Sequence, residues 1–133
     1  MAYRGWRRNG TKYNATKVTV DGHTFDSKHE ANRYLELKLL ERAGEISDLR
    51  LQVEYELIPN QYATEERYGK NGRRLKDKEI LLERKCCYVA DFVYTDNRTG
   101  ETVVEDTKGF KTADYILKKK MLLYFHGIHI VEV

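Results

Sequence analysis

The chain contains two short apolar stretches, Tyr88-Val-Ala-Asp-Phe-Val-Tyr94 and Val103-Val-Glu-Asp-Thr-Lys-Gly109, joined by the polar segment Asp96-Asn-Arg-Thr-Gly-Glu101. Stretches of this length, rich in β-branched and aromatic residues, are typical of strands. A short polar segment with Asn near its start and Gly near its end is typical of a hairpin loop. The sequence therefore predicts a β-hairpin whose loop, residues 97–100, is closed by Asp96 and Glu101.

The register of this hairpin decides which side chains meet. With a four-residue loop, residue 93 faces 104, 91 faces 106 and 89 faces 108. Because side chains alternate along a strand, we expect Asp91, Asp106 and Lys108 on one face, and Glu105 on the other in a structural role. Carboxylates on opposed residues, with Cβ atoms about 5 Å apart, repel each other unless a cation or a proton lies between them. The pattern therefore predicts a metal site, although an ordinary ion pair of Asp106 with Lys108 is the simpler alternative.

The rest of the chain predicts further strands and two helices. Ser27 and Glu30 have the spacing of a capping box, so a helix is expected from there to about Ala43, ended by Gly44. The other predicted elements are a small hairpin over 17–25 turning at Asp21-Gly22, a strand over 45–58, an extended loop over 60–80, a helix over 111–125 and a last strand over 128–133.

These elements predict an α/β fold. The strands before and within the 85–108 hairpin can form an antiparallel meander, and the last strand, delivered by a crossover helix, can pair in parallel with the 102–108 strand. A mixed sheet flanked by helices results. We expect a basic arm and small hairpin over residues 1–26, followed by a single domain over 27–133.

Charge and composition bound the setting. Net charge is only +3, but residues 1–20 carry basic side chains and no acid, with Tyr3, Trp6 and Tyr13 between them. Such a mixture can contact phosphates and stack on bases, and a solvated tail is the alternative. No apolar run is long enough to span a membrane, and the adjacent Cys86 and Cys87 suit a reducing compartment. We expect a cytoplasmic protein without a membrane partner.

The ordered set Glu30, Asp91 and Asp106-Thr107-Lys108 resembles the PD-(D/E)XK nuclease superfamily over residues 27–133, with Ala90 in place of the family's proline. Small phage-encoded nucleases, Holliday-junction resolvases and transposon-end endonucleases share that core. The resemblance implies an α-β-β-β-α-β core and Mg²⁺-dependent endonuclease activity, with Mn²⁺ able to substitute. It also implies a role in DNA replication, recombination or repair on duplex or branched DNA, in the host cytoplasm if a phage encodes the chain.

The resemblance also implies roles for individual residues. Asp91 and Asp106 would bind the metal, with the Thr107 carbonyl and Glu30 as further ligands, while Lys108 would stabilise the transition state. Gln52 is a candidate auxiliary residue. Together with the basic stretches of the N-terminal arm and of residues 67–78, which the charge distribution itself singles out, the resemblance gives the predicted DNA-binding residues Arg4, Arg7, Arg8, Lys12, Arg73, Arg74, Lys111, Lys118 and Lys120.

Other functions remain open at this point. The main alternative is a non-catalytic nucleic-acid-binding or adaptor protein on a nuclease scaffold, and an RNA-directed nuclease is a third reading. A homodimer is expected if the substrate has two-fold symmetry. The capping box alone also accounts for Glu30, so its place among the metal ligands is the least constrained.

Overall fold

The computed structural model describes residues 16–108 and 110–133 of the chain. Within these ranges the elements follow in the order β1 (Val18–Val20), β2 (His23–Phe25), α1 (Lys28–Arg42), β3 (Ile46–Ile58), β4 (Gln61–Glu65), β5 (Lys78–Glu83), β6 (Cys86–Asp96), β7 (Thr102–Asp106), α2 (Ala113–His126) and β8 (Val131–Glu132). The predicted Arg4, Arg7, Arg8 and Lys12 lie outside the described residues.

A mixed four-stranded sheet forms the centre, in the order β3-β6-β7-β8. The first three strands pair antiparallel, and β8 pairs in parallel with β7, so the α/β prediction and the strand directions are confirmed. Buried side chains of α1 pack on one side with Phe92 and Tyr94, while those of α2 pack on the other with Val93 and Val104. The helices therefore cover opposite faces, as expected for a crossover connection.

The first helix begins and ends where its capping signals predict. Ser27 is the N-cap and its Oγ accepts a hydrogen bond from the Glu30 N–H at 3.2 Å. Gly44, at a φ of 76°, follows the helix in the left-handed conformation that glycine adopts at low cost. The β1–β2 hairpin turns at Asp21-Gly22 as predicted, and Phe25 packs into the same cluster as α1.

Two predictions about secondary structure are wrong. Residues 60–80 are not an extended loop, because they include β4 and the start of β5, which pair with each other in a separate two-stranded sheet. Their strand character is hidden in the sequence since β5, Lys-Glu-Ile-Leu-Leu-Glu, lacks an apolar–polar alternation and is exposed throughout. The last strand is also shorter than the predicted 128–133 and covers only Val131–Glu132.

The central hairpin has the predicted register. Val93 pairs with Val104 and Thr95 with Thr102, and the loop is closed by the Asp96 N–H donating to the Glu101 carbonyl at 2.9 Å. Ladder pairing ends at Phe92 and Glu105, one pair before the two aspartates. Within the described ranges, neither helix combines the length and apolar character needed to cross a bilayer.

The side-chain alternation of β6 is interrupted at Asp91. Tyr88 and Ala90 pack on the α2 side, but so does Val93, while Phe92 packs on the α1 side. Opposite this point Gln52 has a φ of 50°, a left-handed conformation that costs a non-glycine residue about 1–2 kcal/mol. The rotation of both strands at this position brings residues from the two faces toward one site.

Candidate functional site

Asp91 lies against the end of β7. Its Oδ2 accepts hydrogen bonds from both the backbone N–H and the Oγ1 hydroxyl of Thr107, at 2.9 and 2.8 Å. Because Thr107 directly follows Asp106, these two bonds fix the Asp91 carboxylate beside that of Asp106. The structure thus brings the two aspartates together as the hairpin register predicts.

Asp106 is almost fully buried, with 1% of its surface exposed. The Tyr88 hydroxyl donates a hydrogen bond to its Oδ2. Its Oδ1 is buried and receives no hydrogen bond of acceptable geometry, although Lys108 Nζ lies only 3.0 Å away. Burial raises the pKa of Asp106 to about 6, with a further contribution from the charge of Asp91 and an opposing one from Tyr88.

Glu30 is the third carboxylate of the site and is 6% exposed. Gln52 links it to the hairpin, since its Nε2 donates to Glu30 Oε1 and to Asp91 Oδ1, each at 3.3 Å. Burial, and then the charge of Asp91, raises the pKa of Glu30 to about 7. A buried, electronegative environment of this kind disfavours three ionised carboxylates and favours a bound proton or cation.

Lys108 occupies the open side of the site. Its Nζ lies 4.5 Å from the ring centre of Tyr115, a cation–π distance, as well as beside Asp106 Oδ1. An open cavity of about 240 Å³ adjoins it, lined by Asp106, Lys108, Tyr115 and Lys118 among others. The Lys108 ammonium is therefore held by α2 at the mouth of a cavity that reaches the buried carboxylate.

The donor chemistry fits a hard divalent cation. Within residues 16–108 and 110–133, no three His, Cys, Asp or Glu side chains are already grouped closely enough to hold a metal ion. Mg²⁺ needs only one or two protein carboxylates, because it keeps several waters. Asp106 Oδ1, buried and without a hydrogen bond, is the oxygen best suited to receive it. Asp91 and Glu30 lie next to it as further oxygen donors.

Glu105 lies on the opposite face, as predicted. Arg33 donates from Nε and Nη2 to the two carboxylate oxygens of Glu105 at 2.7 and 2.9 Å, and the Tyr94 hydroxyl also donates to it. Both carboxylate oxygens of Glu105 thus accept hydrogen bonds from side chains of α1 and β6. This ion pair, in which Glu105 is fully buried and Arg33 is partly exposed, joins the helix that carries Glu30 to the strand that carries Asp106.

The five predicted DNA-binding residues that the structure describes are not brought to one place. Lys118 lines the cavity at Asp106 and also approaches Asp114 at 3.6 Å. Lys111 and Lys120 line a different cavity between α2 and the last strand, where Lys111 pairs with Glu132 at 2.8 Å. Arg73 and Arg74 lie in the loop between β4 and β5, where Arg74 pairs with Asp77 at 3.4 Å.

Two tyrosines at the site were not identified from the sequence. Tyr88 contacts Asp106 and Tyr115 contacts Lys108. Uninterrupted alternation would place Tyr88 on the face away from Asp91 and Asp106, so the break at Gln52 is the cause of the omission. The positive φ of Gln52 leaves no signature in the sequence, since glutamine has no preference for that conformation.

Comparison with known proteins gives a family but no activity. Neither the curated proteins nor the solved structures include a significant match to this chain. One family model matches residues 10–129, which include all of β1–α2 and every residue of the site described above. The chain therefore belongs to the family described as protein of unknown function DUF1064.

Proposed function

We propose that the chain is a metal-dependent nuclease of the PD-(D/E)XK type, which hydrolyses phosphodiester bonds in DNA. The observation that carries the proposal is the meeting of Glu30, Asp91 and Asp106 with Lys108 Nζ 3.0 Å from the buried carboxylate. Groups with strongly raised pKa values cluster at functional sites more often than elsewhere. A purely structural role gives no reason to bury Glu30 and Asp106 beside the half-buried Asp91.

The order of elements supports the same proposal. Helix α1, strands β3, β6 and β7, helix α2 and strand β8 follow the α-β-β-β-α-β order of that nuclease core, and the β4–β5 hairpin is inserted between β3 and β6. The acids lie on α1, β6 and the end of β7, which are the elements that carry them in the nuclease pattern. Fold alone does not assign activity, so the argument depends on the site.

Each residue then has a chemical task. A bound Mg²⁺ would supply Lewis-acid stabilisation of the phosphoryl oxygens and a more acidic water. Asp106 Oδ1 and Asp91 would hold it, and Glu30 would bind it directly or through water. The Lys108 ammonium lines the cavity, where it would donate hydrogen bonds to the phosphate and stabilise the negative charge that develops on it. Tyr88, Thr107 and Gln52 orient the carboxylates, which fixes the site before substrate arrives.

Cleavage of linear, supercoiled and branched DNA in the presence of Mg²⁺ or Mn²⁺ tests the proposal, with RNA digested in parallel. We expect DNA cleavage that EDTA abolishes. Asp91→Asn and Asp106→Asn should each reduce the rate by several orders of magnitude while DNA binding persists. Wild-type protein that binds DNA but cuts no nucleic acid in either metal would refute the nuclease and favour the non-catalytic binding protein.

Asp48→Asn is the matched control. Asp48 is an exposed aspartate of β3 with a φ of 54°, a conformation that asparagine also tolerates. Among the described residues, its carboxylate forms an ion pair with the exposed Arg50 alone, at 3.5 Å. The control removes the same charge from the same sheet without touching the site, so its cleavage rate should equal that of wild type.

A further inference from the structure

The β4–β5 hairpin and the loop between its strands, residues 61–83, form an arm that stands apart from the central sheet. The arm continues the β3–β6 ribbon beyond Pro59-Asn60 on one strand and Arg84-Lys85 on the other. Among the elements that the structure describes, β4 and β5 pack extensively only on each other. A two-stranded hairpin without further support is at best marginally stable in water.

Apolar side chains are exposed on both faces of this arm. Tyr62 and Leu81 oppose each other on one face, Ile80 points to the other, and Leu82 lies unpaired at an irregularity of the ladder. Leu81 is 44% exposed and Leu82 is 59% exposed. Contiguous exposed apolar side chains of this kind mark interaction sites more often than scattered ones do. Within residues 16–108 and 110–133, these side chains are therefore left uncovered.

Charge on the arm is segregated by position. The tip, residues 67–76, holds Arg67, Lys70, Arg73, Arg74 and Lys76 and no acid. The shaft, residues 61–66 and 77–83, holds Glu65, Glu66, Asp77, Glu79 and Glu83 against one basic residue, Lys78. Arg74 pairs with shaft residues Glu66 and Asp77 of its own chain at 3.8 and 3.4 Å. Within the part of the chain that the structure describes, the other four tip cations form no ion pair.

We propose that the arm is a dimerisation element whose occupant is a second copy of this chain. Two arms laid antiparallel about a two-fold axis would place each basic tip on the acidic, apolar shaft of the other. Such an interface is self-complementary, as a two-fold axis requires. It would cover Tyr62 and Leu81 and pair the unpaired tip cations with Glu65, Glu79 and Glu83.

A duplex nucleic acid fits the arm less well. Phosphates would attract the tip, including the Arg73 and Arg74 that the sequence assigned to DNA, but the acidic shaft would repel them. The exposed leucines have no counterpart on a phosphate backbone. The arm carries positive charge at its tip and negative charge along its shaft. This arrangement favours a second, identical arm as the partner over a uniformly negative nucleic acid.

Charge reversal with rescue by mixing tests the proposal independently of any nuclease activity. The tip variant is Arg67→Glu with Lys70→Glu and Arg73→Glu, and the shaft variant is Glu65→Lys with Glu79→Lys and Glu83→Lys. We expect wild type to sediment at twice the 15.7 kDa of one chain, and each triple variant to sediment as a monomer, with a dimer Kd raised roughly tenfold or more. An equal mixture of the two variants should dimerise again, because each reversed tip meets a reversed shaft.

A second pair of variants tests the apolar contact. Leu81→Glu should dissociate the dimer, whereas Leu39→Glu should not, since Leu39 is a 63%-exposed leucine of α1 remote from the arm. The arm lies outside both core clusters, so circular dichroism should show an unchanged fold in every variant. A monomeric wild type, a dimer that persists in both triple variants, or a mixture that stays monomeric while the tip variant loses DNA binding would overturn the proposal.

Discussion

Replacing Glu30 by glutamine should stabilise the metal-free protein at neutral and alkaline pH. Glutamine keeps the side-chain oxygen that accepts from Gln52 Nε2 at 3.3 Å, and it is accepted at the third position of a helix. It removes the charge that burial and Asp91 make costly. The wild type is therefore less stable than it would be without this charge, as expected for a site that binds a cation at the expense of the stability of the metal-free protein.

The magnitude follows from the raised pKa. Glu30 has a pKa of about 7 in the folded chain against 4.5 in the unfolded chain. Below pH 4.5 it is protonated in both states and contributes nothing. Between those values the unfolded chain releases the proton first, so the wild type loses stability as pH rises, and above pH 7 the loss is about 3 kcal/mol. Part of this loss of stability arises from repulsion by the other carboxylates. We therefore expect the free energy of unfolding of the variant to be about 2–3 kcal/mol higher than that of the wild type above pH 7.

Urea unfolding in EDTA, followed by circular dichroism at pH 4 and pH 8, measures the difference. The two proteins should have equal free energies of unfolding at pH 4, and the variant should be the more stable at pH 8. Glu36→Gln is the control, because Glu36 lies on the same helix with an exposed side chain paired to Arg33 at 2.9 Å, and its effect should stay below about 1 kcal/mol. A difference that does not change with pH, or a less stable variant at pH 8, would refute the electrostatic account of the site.

Three further predictions address the residues around the carboxylates. Tyr88→Phe removes the hydrogen bond that lowers the pKa of Asp106. The Mg²⁺ affinity at neutral pH should therefore fall roughly tenfold, and the acidic limb of the pH–rate profile should move to higher pH. An unchanged profile would contradict the role of the hydroxyl. Gln52→Gly should be about 1 kcal/mol more stable than Gln52→Ala in urea unfolding, because glycine adopts a φ of 50° without strain, while both lose the bridge between carboxylates equally. Arg33→Met should lower the free energy of unfolding by about 3–5 kcal/mol, because it leaves Glu105 buried without its partner. A folded Glu105→Gln protein should still cut DNA. Loss of cutting in that protein would show that Glu105 takes part in the reaction.

Local signals made most of the fold predictable. The Ser27 cap, Gly44 and the hairpin loop over residues 97–100 each determine conformation through neighbours only a few residues away. The ends of α1 and the register of the central hairpin therefore follow from the sequence. The arm could not be predicted from the sequence, because strands are recognised by the apolar–polar alternation of one buried and one solvated face. Neither face of β5 is buried, so its apolar residues are not in alternation.

The acidic residues of the candidate site were predictable, but the side chains that hold them in place were not. Asp91, Asp106 and Lys108 were found from alternation and register, which hold along β7. Tyr88 was missed since β6 and β3 rotate at Gln52, where the backbone conformation depends on tertiary contacts rather than on residue type. Gln52 itself was only a candidate auxiliary residue, and its bridge between Glu30 and Asp91 becomes evident once α1 packs over the sheet.

The central claim is that Asp91 and Asp106 hold a divalent cation, with Glu30 beside them. Anomalous diffraction from crystals of wild type and Asp106→Asn protein grown in Mn²⁺ tests it most directly. The account predicts an anomalous peak within bonding distance of Asp106 Oδ1 in the wild type and no peak there in the variant. Density for Mn²⁺ only at other positions, or a peak unaffected by Asp106→Asn, would contradict it.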